Sequence, residues 1–182
     1  MFKKLNILDE ADKRLRQKSK EVTFPLTKED KKLIQQIISE LTYSQIPEKQ
    51  EEYNLRPGMG LAFPQLGIHK RIIVIVHEVE KGKFNNYVVV NPKIISHSVE
   101  MIAAEEGEGC LSINREVVGH VPRYARVTVT GFDEDGNEIK IRAREELSIA
   151  FQHEIDHLDG ILFYDRIDKE KPLLNENEIR FI

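Results

Sequence analysis

The sequence predicts an α+β fold, with antiparallel β-sheets packed around a central helix that carries a His-Glu-x-x-His pattern, and a further helix near the N-terminus. Three observations predict it. Helical apolar spacing occurs in two segments, one towards each end of the chain. Between them lies a series of short β-branched runs separated by turn residues. One of the two helices carries a pair of histidines four residues apart, on a single face.

The elements follow in order. Ile7 to Val22 is charged with scattered leucines and reads as a short arm or helical turn lying on the body. Thr27 to Tyr43 reads as a helix. Thr27 can cap it and Asp30 stands three residues on, as in a capping box. Leu33, Ile34, Ile37, Ile38 and Leu41 then recur at helical spacing. Ser44 to Pro57 is polar, contains Pro47 and Pro57, and reads as a loop insertion. Arg71–His77, Tyr87–Val90, Ile94–His97, Val99–Ala104, Val117–Val121 and Arg126–Phe132 read as strands. Asp133-Glu134-Asp135-Gly136 is a turn signal that closes a hairpin between Val127–Phe132 and Glu138–Ala143. The second helix runs from Arg144 to Leu158. Leu147, Ala150, Phe151 and Leu158 share its apolar face, and Gly160 is placed to end it. Residues 169–182 form a tail whose last residues are strand-like.

With 182 residues, the chain suits one catalytic domain spanning 1–182. A domain of this size buries about 70% of the surface its unfolded chain exposes, so it needs no disulfide or metal merely to fold. The formal charge is −4 with both signs well mixed, which gives no nucleic-acid footprint. No run has the apolar length of a membrane span, and the N-terminal residues lack the core of a signal peptide. The expectation is a cytoplasmic protein. A single cysteine excludes an internal disulfide and agrees with a reducing compartment.

The chemistry concentrates in three segments. His153-Glu154-Ile155-Asp156-His157 is an H-E-x-x-H pattern. Its two imidazoles stand one turn apart and can reach one metal, with Glu154 beside it to accept a proton. A catalytic metal needs a third protein ligand and one open position. No histidine follows His157, although several carboxylates do. Upstream lies the lone cysteine, in Glu106-Gly107-Glu108-Gly109-Cys110-Leu111-Ser112, and thiolate is a strong ligand for zinc and ferrous iron. The third segment is Gly58-Met59-Gly60-Leu61-Ala62-Phe63-Pro64-Gln65. It lacks the residues of a phosphate-binding loop. Its glycines would let a peptide lie close to the backbone, and Gln65 offers a neutral amide donor near a reacting carbonyl.

Together these segments resemble the peptide deformylase family, whose signatures are a Gly-x-Gly-x-Ala-x-x-Gln loop, a Glu-Gly-Cys-Leu-Ser strand and a Gln-His-Glu-x-Asp-His-Leu helix. Gly58–Gln65, Glu108–Ser112 and Gln152–Leu158 match them in the family order, and the similarity runs from about Ile7 to Asp168. The long 44–57 segment, Gly107 and the strand-like tail resemble the branch typical of Gram-positive bacteria. Phe63 departs from the family pattern, which has a small residue there, and is expected to narrow or reshape the entrance.

The resemblance implies hydrolysis of the N-formyl group from the initiator formyl-methionine of new proteins, releasing formate. It implies Cys110, His153 and His157 as ligands of one divalent metal. Ferrous iron is the implied native metal, with zinc, nickel or cobalt as substitutes. Glu154 is the implied proton carrier, and Gln65 with the Leu111 N–H the implied oxyanion donors. Gly60, Ile149 and Ala150 map onto the methionine pocket. Glu108 and Arg123 map onto an ion pair that holds the cysteine strand. A monomer with transient ribosome contact, and no membrane or nucleic-acid partner, completes the expectation. Two other readings stand beside it: a zinc peptidase that cuts internal bonds, and a metal module or relative without activity.

Overall fold

Residues 72–76 are apolar without interruption, and both faces of that strand are covered in the structure. The computed structural model describes residues 2–182. β1 (Gly60–Ala62), β2 (Ile72–Glu80), β3 (Lys83–His97), β6 (Arg126–Phe132) and β7 (Glu138–Arg144) form one antiparallel sheet in the order β1-β2-β3-β6-β7. Side chains alternate across a strand. Ile73 and Ile75 therefore join one core with Ala150, Phe151 and Leu158. Ile72, Val74 and Val76 join a second core with Ile34, Ile37 and Leu41. The first core belongs to helix α3 (Glu145–Leu158) and the second to helix α1 (Lys28–Ser44), so the sheet lies between two helices.

The α1 helix starts where its cap sits: Thr27 Oγ accepts from the Asp30 N–H at 3.1 Å. The α3 helix begins at a corner. Glu145 takes φ 53, and its carboxylate is gripped by Arg180 at 2.8 Å on both oxygens. The helix stops at Asp159, followed by Gly160 at φ 73, the left-handed position that favours glycine.

A smaller sheet joins β5 (Arg123–Tyr124), β4 (Met101–Ala103) and β8 (Arg180–Phe181). Here the antiparallel expectation fails at one pair, because the tail strand β8 runs parallel to β4. Other expectations also need correction. Segment 44–57 is no plain loop: Pro47–Tyr53 forms helix α2, with Pro47 at its first turn, where its missing N–H costs nothing. Tyr87–Val90 and Ile94–His97 are one strand, β3, interrupted by a register shift near Asn91 and Pro92. Asn91 lies at φ 53, and its side chain is tied to both backbone groups of Val22. Val117–Val121 forms no strand. No neighbouring strand pairs with it, and Val121 packs into a small cluster with Cys110, Ile113 and Phe163. Cys110 itself sits in a loop rather than in a strand.

Candidate active site

Two turns of α3 and one loop bring the reactive groups together. His153 and His157 stand one turn apart on the helix, and the 107–122 loop lays Cys110 across them. Cys110, His153 and His157 are all buried, and each offers a donor atom within 4.8 Å of the other two. Cys110 Sγ lies 3.3 Å from His157 Nε2. Donors on a tetrahedral zinc-like ion with ordinary bond lengths are about 3.5 Å apart, so the trio fits such an ion. A thiolate with two imidazoles suits zinc or ferrous iron better than calcium or magnesium.

The surrounding charges fix the orientation. His153 Nδ1 donates to Glu108 Oε2 at 2.8 Å, which leaves Nε2 as the free ring nitrogen. Glu108 also receives a two-pronged bond from Arg123, at 2.7 and 2.9 Å. Burial alone would push the Glu108 carboxyl up. The Arg123 and His153 bonds outweigh it and hold the group at about 2. Arg123 is only 2% exposed, and its third nitrogen donates to Asp156 at 2.6 Å. Arg166 closes the network on Asp156 from outside, at 2.6 and 2.5 Å. The Glu108–Arg123 pair is thus one part of a chain of charges linking loop, β5, α3 and the turn at Phe163–Arg166.

Glu154 is buried with a different environment. Burial pushes its pKa up to about 7, against the lowering effect of His153. Its Oε2 has no hydrogen-bond partner among the described residues. Gly60 is what makes room for it: a Cβ there would lie 2.8 Å from the Glu154 carboxyl carbon. Gln65 is buried and held at both ends of its amide. Its Oε1 accepts from the Ala62 N–H at 2.9 Å, and its Nε2 donates to Ser112 Oγ at 3.1 Å and faces Cys110 Sγ at 3.6 Å.

These groups line one cavity of about 600 Å³, a volume suited to a few residues of peptide. Its wall includes Gly60, Gln65, Leu111, Ile149, Ala150 and Glu154, so every residue expected to hold the metal, move the proton, bind the oxyanion or meet the methionine reaches the cavity or the donor trio beside it. Phe63 does not. It is fully buried in the α1 core, on the opposite face of the sheet, because side chains alternate through β1 and its following turn. It therefore cannot shape the entrance. Met59 and Arg56 line the cavity without having been singled out. Ser112 lay inside a quoted motif with no role attached. Asp156 likewise lay inside a quoted motif with no role attached, and Arg166 carried no local signal, since its importance arises only where it meets Asp156 beside Arg123.

The family model described as polypeptide deformylase matches residues 4–173. The chain belongs to the peptide deformylase family. Peptide deformylases are metal-dependent hydrolases of protein biosynthesis, and this one removes the formyl group from N-formyl peptides. A peptide deformylase from Listeria welshimeri is 50% identical over 168 residues, covering 92% of this chain and 91% of the relative. One from Shouchella clausii is 49% identical over 163 residues, covering 90% and 89%. Among solved structures, the peptide deformylase of Thermotoga maritima superposes with a TM-score of 0.71 at 32% identity, covering 90% of this chain and 97% of that one. A plant peptide deformylase gives a TM-score of 0.76 at 29% identity, with 91% and 82% covered. Membership of the family sets aside the internal-bond peptidase and the inactive module. No helix of the described residues is long and apolar enough to cross a membrane.

Proposed function

We propose that the cavity beside α3 is the deformylation centre, with Cys110 from the loop and His153 and His157 from the central helix holding one divalent metal. The single observation that carries this reading is the convergence of those three donors beside a buried, unpartnered Glu154 oxygen. A metal bound there supplies Lewis acidity and lowers the pKa of a water. Ferrous iron is the proposed resident metal, with zinc, nickel or cobalt as replacements; the thiolate in the donor set supports that choice.

The chain's own residues do the rest. The side chain of the formylated methionine lies against Gly60, Ile149 and Ala150. Glu154 takes a proton from the attacking water as the new C–O bond forms. Gln65 Nε2 and the Leu111 N–H donate to the oxygen that gains charge at the formyl carbon. Glu154 then delivers its proton to the leaving nitrogen as the C–N bond breaks, giving formate and a free amine. A carboxyl poised near neutrality can do both. Glu108 and Arg123 keep His153 in one tautomer and the cysteine loop in place. The chain is read as one catalytic domain acting as a monomer.

The test is release of formate from formyl-Met-Ala-Ser by anaerobically purified protein, with metal assayed on the same sample. Release that vanishes in Cys110→Ala and Glu154→Ala is expected. Unchanged release from a Cys110→Ala protein free of metal would remove Cys110 from the site.

A further inference from the structure

The loop that carries Cys110 lies outside both sheets, so its carbonyls find donors other than sheet partners, and the Cys110 carbonyl accepts a turn bond from the Ile113 N–H at 3.1 Å. Most find one side chain. Arg56 Nη2 donates to the carbonyls of Cys110 at 3.1 Å and Ile113 at 2.9 Å. Its Nη1 donates to the Leu111 carbonyl at 3.2 Å and to Asn114 Oδ1. The remaining carbonyl of the run, on Ser112, accepts from the Glu10 N–H at 2.8 Å. All four Arg56 acceptors are neutral oxygens, although the usual partner of a surface arginine is a carboxylate. The preceding backbone delivers Arg56 to this place. The α2 helix ends on Asn54 at φ 49, Leu55 turns into the core, and Arg56 is left facing the loop.

The geometry of a peptide plane gives the grip its consequence. The Cys110 carbonyl and the Leu111 N–H belong to one planar trans unit and point in opposite directions. Arg56 and the Ile113 N–H together fix the carbonyl, and so fix the Leu111 N–H on the opposite side. That N–H donates to no backbone carbonyl among the described residues, and Leu111 lines the cavity. A cation bonded to the carbonyl also draws charge from the peptide unit and makes its N–H a stronger donor.

We infer that Arg56 is a positioning residue for deformylation: its fork on the 110, 111 and 113 carbonyls aims the Leu111 N–H at the formyl oxygen. The inference rests on the role proposed above for that N–H. Arg56 acts through the loop and takes no part in proton transfer.

The experiment compares cobalt-loaded wild type with Arg56→Lys, Arg56→Met and Gln65→Leu. For both Arg56 variants, kcat is expected to fall about 10- to 100-fold, a large part of what loss of one oxyanion donor costs. KM for formyl-Met-Ala-Ser is expected to stay within about twofold, since only an interaction made in the transition state is lost. Cobalt content and the visible spectrum of the bound cobalt should not change. In the zinc form the Leu111 amide proton resonance should move, and Arg56→Lys should not rescue it, because an ammonium cannot fork across three carbonyls. Unchanged kcat with a lower Tm would leave Arg56 a merely structural role. A raised KM at constant kcat would make it a substrate contact, and an altered cobalt spectrum would make it a support for Cys110. Each of these overturns the inference. If Gln65→Leu also keeps full turnover, the oxyanion reading itself has failed. If Gln65→Leu is slow while the Arg56 variants are not, only the Arg56 inference has failed.

Discussion

Three residues around the cavity carry separable predictions. Glu154→Ala should retain metal and lose nearly all turnover, because no other buried acid beside the cavity is free to move the proton: Glu108 is held by Arg123 and His153. Formate assays with metal analysis check it, and retention of a tenth of wild-type turnover would remove Glu154 from its role. Gln65→Leu should lower kcat by about 10²- to 10³-fold, the usual cost of one oxyanion donor. Gly60→Ala tests a close approach. The new methyl would press on the Glu154 carboxylate, and a misplacement near 1 Å costs roughly 10²-fold in rate. Wild-type kinetics in Gly60→Ala would show that the carboxylate has room to spare. At this scale the candidate donor trio was legible in the sequence, because metal binding needs particular residue types at particular spacings. Arg56 was not legible: a single arginine before a proline has no pattern, and its partners lie more than fifty positions away at Cys110, Leu111 and Ile113.

Helix α1 carries two buried acids whose charges act in opposite senses. Burial of Asp30 works to raise its pKa, but the Lys70 ammonium, at 2.6 and 2.7 Å, and the Thr27 cap hold it below the ordinary range. Burial of Glu40 pushes that group up, and the Leu5 N–H bond only partly offsets it. Asp30 therefore adds stability above its unfolded value of about 4, and that stability is lost as pH falls through the folded value. Glu40 does the reverse. Its contribution is complete below about 4.3 and is lost as pH rises through its raised folded value. Asp30→Asn should lower Tm at pH 7, with the gap to wild type closing in acid. Glu40→Gln should raise Tm at pH 7, and that gain should vanish in acid. Melting curves from pH 3 to 8 decide both; parallel curves for wild type and variant would rule out the assigned titration. The helix itself was readable from its periodicity and cap. Helix α2 was not, since the five polar residues between Pro47 and Tyr53 offer no apolar face. Val117–Val121 misled in the other direction: β-branched residues fit a strand, but a strand needs a neighbour, and this segment instead packs Val121 beside Cys110.

Across the whole molecule, the metal-capable trio ties a loop to a distant helix. A metal that binds the folded chain better than the unfolded one must raise stability by mass action. Stripping the metal with a chelator should therefore lower Tm, and adding zinc or cobalt should restore it. Equal melting of stripped and loaded protein would count against a metal at these three residues. The sandwich of one sheet between two helices was only half foreseen. Unbroken apolar residues at 72–76 show that both faces of β2 are covered, but they do not say by what; Phe63, expected at the entrance because it departs from the family pattern, belongs to the other face. The N-terminal arm was read simply as lying on the body. In the structure its Leu8 N–H bonds the Gln65 carbonyl and its Glu10 N–H bonds the Ser112 carbonyl, both at 2.8 Å. The arm is therefore a tie between the two segments that flank the cavity, joined across most of the chain's length. During synthesis the arm is made before its partners and must wait for each in turn, and the cysteine must then wait for the two histidines. A ribosome that stalls before His157 leaves a chain with its arm and thiol made but no trio to close, so a metal can find all three donors only after the second histidine has been added.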